Sequence, residues 1–108
     1  MEAVLKAIAE PRRREILRLV SGGELTAGEI AARFDVTRPA ISQHLTILRN
    51  AGLLEERREG TRRLYRVRPE AFGEVRAYLE SFWDESLLAL KNVVESDERR
   101  AIRGNPRN

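Results

Sequence analysis

The sequence predicts an α+β fold that is mostly α, with five helices and two β-strands. Two capped helices follow one another across a three-residue break, and a basic hairpin with a glycine at its turn comes directly after them. The last helix carries more large apolar residues than one face can hold, which indicates a second copy of the chain as its partner. Together these observations predict a dimeric winged helix-turn-helix protein.

Composition and charge restrict the classes of function. The 108 residues carry a net charge of +3 with a sequence pI near 9.9, and a pI above about 9 is typical of nucleic-acid-binding domains. No cysteine is present, which excludes disulfides, thiolate metal sites and cysteine nucleophiles. No apolar run is long enough for a membrane span and the N-terminus lacks a signal-peptide pattern, so a cytoplasmic protein is expected.

The first two helices are predicted from apolar spacing and from residues that start and stop helices. Apolar residues recur at helical spacing over residues 2–9. Pro11 suits the first turn of a second helix because its missing N–H costs nothing there, and Gly22 and Gly23 end that helix. The run Arg12–Arg14 lies in its first turn, where the helix dipole disfavours cations, so internal salt bridges and direct phosphate contacts both remain open.

The next two helices form a helix-turn-helix. Thr26 and Glu29 make a capping box, in which each side chain bonds the backbone N–H of the other, and this third helix is predicted to run to about Phe34. Thr37 can cap the fourth helix, which ends near Asn50. The apolar residues of the fourth helix form one narrow stripe, Ile41, Leu45 and Leu48. Most of its circumference is therefore free.

The fourth helix carries uncharged hydrogen-bonding residues in its first turns. A helix fits the major groove, and residues near its N-terminus reach base edges. Arginine can bind two acceptors of guanine, glutamine two groups of adenine, and alanine can contact a thymine methyl. The polar face of an ordinary helical bundle is the alternative. The candidate residues are Thr37, Arg38, Pro39, Ala40, Ser42, Gln43 and His44, of which His44 is expected to bond backbone or phosphate rather than bases.

A basic hairpin forms the predicted wing. The extended runs 53–58 and 62–67 flank a turn at which Gly60 can adopt a positive φ. Arginines crowd its tip, and because like charges on paired strands repel, DNA phosphates are the expected partner. Protection of the sheet edge against aggregation is the alternative, and both can hold together. The candidate residues of the wing are Arg57, Arg58, Thr61, Arg62 and Arg63.

The last helix is predicted from Pro69 to about Glu95, and the polar residues 96–108 are predicted to be a disordered tail. Residues 1–95 then form one winged helix-turn-helix domain with dimerisation helices at both ends. One set of apolar residues is expected to cover the chain's own core: Leu79, Phe82, Leu90 and Val93. A second set is expected to form a two-fold dimer interface: Val4, Ile8, Trp83, Leu87 and Val94. Packing of Trp83 back on its own subunit is the alternative.

The family that this chain resembles is the ArsR/SmtB winged-helix repressors, and the resemblance is carried by the run GELTAGEIAARFDVTRPAISQHLTILRNAGLLEERREGTRRLYRV. It extends from about Ala3 to Glu95 and implies a dimeric repressor that binds a palindromic operator through the recognition helix and the wing. Metal-sensing members carry two cysteines in the third helix, where this chain has Thr26 and Gly28, and the last helix here has no histidine. The chain therefore resembles the branch that does not sense metals, and neither a metal nor a cofactor is expected.

The residues and the resemblance together predict a sequence-specific regulator of transcription that binds double-stranded DNA. It is expected to repress its own or a neighbouring operon without responding to metals. The expected partners are a palindromic operator and a second copy of the chain, with no membrane; whether a small-molecule inducer exists stays open. A winged-helix module for protein–protein contact is the alternative. An enzyme is not expected, because no paired carboxylates, nucleophile–base set or phosphate-binding glycine loop can be found in the sequence.

Overall fold

The computed structural model describes the backbone of residues 1–104 and the side chains of residues 1–98. Its elements, in chain order, are α1 (Glu2–Ala9), α2 (Pro11–Ser21), β1 (Leu25–Thr26), α3 (Ala27–Ala31), α4 (Arg38–Asn50), β2 (Leu54–Glu59), β3 (Arg62–Val67) and α5 (Pro69–Gly104). The three strands form an antiparallel sheet in the order β1-β3-β2. Two compact units divide the chain: the first ends at Val75, and the second begins at Arg76 within α5. None of the described helices is long and apolar enough to cross a membrane.

The core of the first unit holds α4 by one side only. The predicted stripe of α4 is buried, with Ile41, Leu45 and Leu48 at most 1% exposed, and it packs in one cluster with Ile16 of α2 and Leu54 of β2. Fully burying a side chain of this kind stabilises the fold by about 1.5–3 kcal/mol. The wing strand β2 and the helix α4 are therefore anchored in the same core, and the opposite face of α4 is left exposed.

The helix starts and the hairpin predicted from the sequence are confirmed. α2 begins at Pro11, and Thr26 and Glu29 form a complete capping box at the start of α3. The Thr37 hydroxyl caps α4. Gly60 has a φ of +64°, so the turn between β2 and β3 adopts the left-handed conformation that glycine permits.

Two predictions in this region differ from the structure. α3 ends at Ala31 rather than near Phe34, because the next amides, those of Arg33 and Phe34, bond carbonyls three residues back and so continue as tighter turns. The sheet has three strands rather than two. The extra strand, β1, pairs Leu25 with Tyr65, and a two-residue strand has no sequence period from which it could be predicted.

The last helix is longer and more exposed than predicted. α5 continues to Gly104, past its predicted end near Glu95. Residues 96–104 contain helix-forming residues and no proline, and their first glycine is Gly104 itself. The predicted tail residues 105–108 lie outside the described residues. The four side chains expected to cover the chain's own core are 49% to 59% exposed: Leu79, Phe82, Leu90 and Val93. That expectation is wrong, because α5 is the only element of residues 76–104 in the described part of the chain, and it leaves these side chains exposed.

Replacing Thr26 with alanine is expected to destabilise the protein by about 1 kcal/mol, because the Thr26 hydroxyl accepts the backbone N–H of Glu29 at 3.1 Å. The reciprocal hydrogen bond, from the Thr26 N–H to the carboxylate, holds the pKa of Glu29 below its ordinary value of 4.5. The contribution of Glu29 is therefore present above that ordinary value and is lost as the pH falls through the lowered pKa. Urea unfolding measures the effect of Thr26→Ala. Thr26→Ser keeps the oxygen and should cost little, so equal destabilisation by both variants would contradict this account.

Candidate nucleic-acid interface

The exposed face of α4 begins at its N-terminus, where the candidate base-reading residues lie. Thr37 caps the helix, its hydroxyl accepting the Ala40 N–H at 3.3 Å, and proline at the second helical position, Pro39, is compatible with a helix start. Because the apolar stripe of α4 points into the core, Ser42 and Gln43 lie on the opposite side and are exposed. The capped start of the helix therefore presents hydrogen-bonding groups to solvent.

Several of these side chains have no partner within the described part of the chain. The Gln43 amide, the Ser42 hydroxyl and the Arg38 guanidinium form neither a hydrogen bond nor an ion pair with any described residue. The Arg38 guanidinium lies beside Gly28, where an added Cβ would meet it at 3.5 Å. The hydroxyl of Thr37, by contrast, is already used as the helix cap. Donors and acceptors without a partner are the ones that base edges can satisfy.

The structure adds two residues to this face that the sequence analysis missed. Thr46 and Ile47 continue the exposed row of Ser42 and Gln43, and the four together line a shallow depression of about 350 Å³. Ile47 is 42% exposed. The sequence does contain a signal for Ile47, because this apolar residue does not fall on the buried stripe of α4. An exposed isoleucine at such a position can contact thymine methyl groups.

His44 lies apart from this row. It is half-buried, and its Nδ1 lies 3.4 Å from an Arg13 guanidinium nitrogen and 4.0 Å from a Glu10 carboxylate oxygen. Both partners belong to the start of α2. The imidazole therefore contacts side chains of the first unit rather than the main chain. That it does not read bases stays a prediction.

The three arginines at the start of α2 all have internal partners. Arg12 forms an ion pair within α2 at 3.5 Å. Arg13 donates to the carbonyl of Ala7 at 2.6 Å, and Arg14 donates to the carbonyl of Ile8 at 2.7 Å. These carbonyls belong to the last turn of α1, where cations are favourable. The arginines therefore join α1 to α2, and for two of them main-chain oxygens take the place of the expected carboxylates.

The wing arginines lie on the two faces of the hairpin. In the register of β2 and β3, Arg58 is directly opposite Arg63 and Glu59 is opposite Arg62. Directly opposed side chains share a face, so Arg58 and Arg63 form a like-charge pair on one side of the wing. Such a pair is unfavourable by itself and is stabilised by an anion.

Three of the four wing arginines are already paired with carboxylates. Arg57 donates to Glu24 at 3.0 Å and to Glu59 at 3.1 Å, and the hydrogen bond with Glu24 raises its pKa. The other two pairs are Arg62 with Glu29 and Arg63 with Glu56, each at 3.7 Å. Arg58 has no ion pair or hydrogen bond with any described residue. The four arginines that the sequence analysis treated alike thus differ in how freely they can bind phosphate.

A polar cleft brings the recognition helix and the wing together. It has a volume of about 510 Å³ and lies between the start of α3, the start of α4 and the hairpin. Five of the predicted site residues and four others line it: Arg38, Ser42, Thr61, Arg62 and Arg63, with Thr26, Ala27, Gly28 and Tyr65. The residues Gln43, Arg57 and Arg58 lie outside the cleft lining. The cleft is thus cationic and hydrogen-bonding, a surface suited to a phosphate backbone.

The remaining predicted residues concern metals and assembly. No group of three or more histidine, cysteine, aspartate or glutamate side chains in the described residues could hold a metal ion. Val4 and Ile8 of α1 are half-buried against the core of the first unit. Trp83, Leu87 and Val94 of α5 are 62%, 46% and 46% exposed. Their place in a dimer interface stays a prediction.

Comparisons with known proteins agree with this architecture. Residues 10–56 match the family model described as bacterial regulatory protein, arsR family. An HTH-type transcriptional regulator of Mycobacterium tuberculosis is 37% identical over 92 residues, which cover 85% of this chain and 86% of that protein. The transcriptional repressor SdpR of Bacillus subtilis is 48% identical over 60 residues, covering 56% of this chain and 67% of that protein.

A solved structure is similar over most of the chain. It is the solution structure of the homodimeric winged helix-turn-helix DNA-binding domain of a Mycobacterium bovis protein, described as a possible ArsR-family regulator. The TM-score is 0.63 with 37% sequence identity, and the match covers 78% of each chain. Sequence and fold agree over the same region, and this protein belongs to the ArsR family of bacterial regulatory proteins.

Proposed function

We propose that this chain regulates transcription by binding a specific sequence of double-stranded DNA, with α4 in the major groove and the wing on the adjacent backbone. The observation that carries the proposal is the cleft that joins the start of α4 to the hairpin. It places cationic and hydrogen-bonding groups of both elements on one continuous surface. Membership of a family whose relatives are named as transcriptional regulators supports the same function.

Base reading is assigned to the free face of α4. Gln43 can bond adenine through its amide, Arg38 can bond guanine through its guanidinium, and Ser42 can bond either base. Ile47 and Ala40 offer apolar contact to thymine methyl groups. Thr37 and Pro39 build the helix start that aims these side chains, and His44 supports the helix from the side of α2.

Phosphate binding is assigned to the wing. Arg58, Arg62 and Arg63, with the Thr61 hydroxyl, surround its tip. Phosphates would neutralise the opposed pair of Arg58 and Arg63, which removes the repulsion between the strands. These contacts fix the position of the protein on the duplex without reading its sequence.

The proposed active form is a homodimer on a palindromic operator. The homodimeric relative from Mycobacterium bovis and the exposed apolar face of α5 support a two-fold assembly. Two recognition helices about 34 Å apart would then meet successive major grooves on one side of the DNA.

Repression is the proposed outcome, as in the Bacillus subtilis relative named a repressor. Selection of bound fragments from random-sequence duplexes tests operator binding, and repeating the selection with a metabolite extract tests for an inducer.

Removing Arg58 is expected to flatten the salt dependence of DNA binding more than removing Arg57. Each phosphate contact contributes about −0.9 to the slope of log K against log salt concentration, so Arg58→Ala should reduce the slope by about one unit. Arg57→Ala should reduce it less, because a phosphate must first displace Glu24 and Glu59 from this guanidinium. Fluorescence anisotropy with a labelled duplex at several salt concentrations measures both slopes. Equal flattening in the two variants would contradict the distinction.

A further inference from the structure

Glu56 lies in the middle of β2 and joins side chains from two other elements. One carboxylate oxygen accepts from the Arg49 guanidinium of α4 at 2.8 Å and from the Tyr65 hydroxyl of β3 at 3.2 Å. The other oxygen lies 3.7 Å from Nε of Arg63, also on β3. The Glu56 side chain is only 20% exposed. The end of the recognition helix and both strands of the wing therefore meet at one carboxylate.

A carboxylate at this place is unfavourable for DNA binding on charge alone. The Glu56 carboxylate forms an ion pair with Arg63, which is a proposed phosphate ligand. Its negative charge therefore repels the phosphate that Arg63 attracts. The same charge offsets part of the repulsion between Arg63 and Arg58, which the register of the strands places opposite one another. Burial raises the pKa of Tyr65, and the neighbouring charge of Glu56 raises it further. Glu56 thus acts on both the geometry and the electrostatics of the wing.

We propose that Glu56 is a positioning residue for DNA recognition, which fixes the wing relative to the recognition helix so that both reach one duplex together. The proposal rests on the proposed function of α4 and the wing. Binding sites depend on side chains whose supporting contacts hold them within about 0.5 Å of the productive geometry. Arg49 and Tyr65 supply such contacts from α4 and β3, and Glu56 bonds them both.

Whether Glu56→Gln gains or loses affinity for the operator distinguishes a positioning role of Glu56 from a purely electrostatic one. If Glu56 acted only through its charge, Glu56→Gln would increase the affinity for every DNA sequence, because one repulsive charge is lost. If Glu56 positions the wing, the same variant loses affinity for the operator by about tenfold, while its affinity for random DNA stays equal or rises. Tyr65→Phe removes one hydrogen bond to Glu56 without any change of charge. It should shift operator affinity in the same direction by a smaller factor.

The experiment uses the full chain. Affinities for a selected operator and for a random duplex are measured for the wild-type protein, Glu56→Gln, Tyr65→Phe and the control Glu59→Gln. The control removes the same charge from the same strand. Among the described residues, Glu59 pairs with Arg57 alone, so Glu59→Gln should raise both affinities. Ultraviolet titration without DNA tests the contact between Tyr65 and Glu56, and for this measurement alone the proteins also carry Tyr78→Phe, so that Tyr65 is the remaining tyrosine. The pKa of Tyr65 should fall in Glu56→Gln. Thermal unfolding confirms that each variant is folded.

The outcomes are distinct. A loss of operator affinity in Glu56→Gln, with random-DNA affinity maintained and a lowered Tyr65 pKa, supports the proposal. A gain on both duplexes, as in Glu59→Gln, overturns it, and so does a Tyr65 pKa that does not change. A wild-type protein that binds operator and random DNA equally overturns the proposed function itself, which is a different result from failure of the role of Glu56.

Discussion

Replacing Trp83 and Leu87 together by glutamate is expected to convert the protein from a dimer to a monomer. Large apolar side chains on α5 between residues 78 and 94 are 45% to 62% exposed, and both substituted residues belong to this set. At about 100° per residue, all of the set except Leu88 covers roughly half of the helix circumference. Leu88 lies on the other half, together with Glu80, Asp84 and Lys91. A continuous apolar face of this size on a soluble chain marks an interface.

The effect is expected to be large because two charges would be buried without partners. The dissociation constant of the dimer should rise by at least about 100-fold, since each unpaired buried charge costs several times the thermal energy. Sedimentation equilibrium at micromolar concentrations measures the change. Affinity for a palindromic operator should fall as well, because the two half-sites are then bound by independent molecules.

A matched control distinguishes the effect of placing charges on the apolar face from the effect of adding charge to α5 at all. Ser81→Glu with Asn92→Glu adds the same charge to the polar half of α5 and should leave the dimer intact. A wild-type protein that is monomeric at micromolar concentration would contradict the proposed assembly. So would an undisturbed dimer in the Trp83 and Leu87 variant.

The second large effect is expected for Gln43→Ala. The Gln43 amide has no partner among the described residues and lies in the exposed row of α4, so bonds to a base edge would be lost without any internal compensation. Discrimination at one base pair of the operator should fall by about 1–3 kcal/mol. Competition binding against operators mutated at each position measures the loss and identifies the base pair.

Arg58→Ala provides the contrast. It removes a side chain without an internal partner as well, but from the wing, and should weaken binding to operator and random DNA by the same factor. Equal losses on operator and random DNA for Gln43→Ala would show that Gln43 does not read bases. The two variants therefore test whether α4 reads bases while the wing binds phosphate.

Local chemistry made the helix starts and the turn of the wing predictable. A threonine three residues before a glutamate, a proline in a first turn and a glycine between two extended runs each act within a few residues. The structure confirms all of them, at Thr26, Pro11 and Gly60. The buried stripe of α4 was predictable for the same reason, because helical periodicity is a local property.

Features that depend on distant contacts were missed. Strand β1 exists only because Leu25 meets Tyr65, forty residues further along the chain. The pairing of Arg57 with Glu24 joins residues 33 positions apart, so no local pattern distinguishes this arginine from Arg58. The contacts of Glu56 with α4 and β3 were not predicted, because a glutamate in a strand is typical of a solvated face. The length of α5 was underestimated because a charged, polar composition is compatible with both disorder and helix.

α4 and the wing are proposed to form one surface that recognises a specific DNA sequence. The decisive experiment compares the affinity of the wild-type chain for its selected operator with its affinity for a random duplex, at the same salt concentration. We expect an operator with two-fold symmetry, half-sites one helical turn apart, and binding at least about 1,000-fold tighter than to random DNA. Selection that yields no common sequence, with equal affinity for the two duplexes, would contradict this expectation.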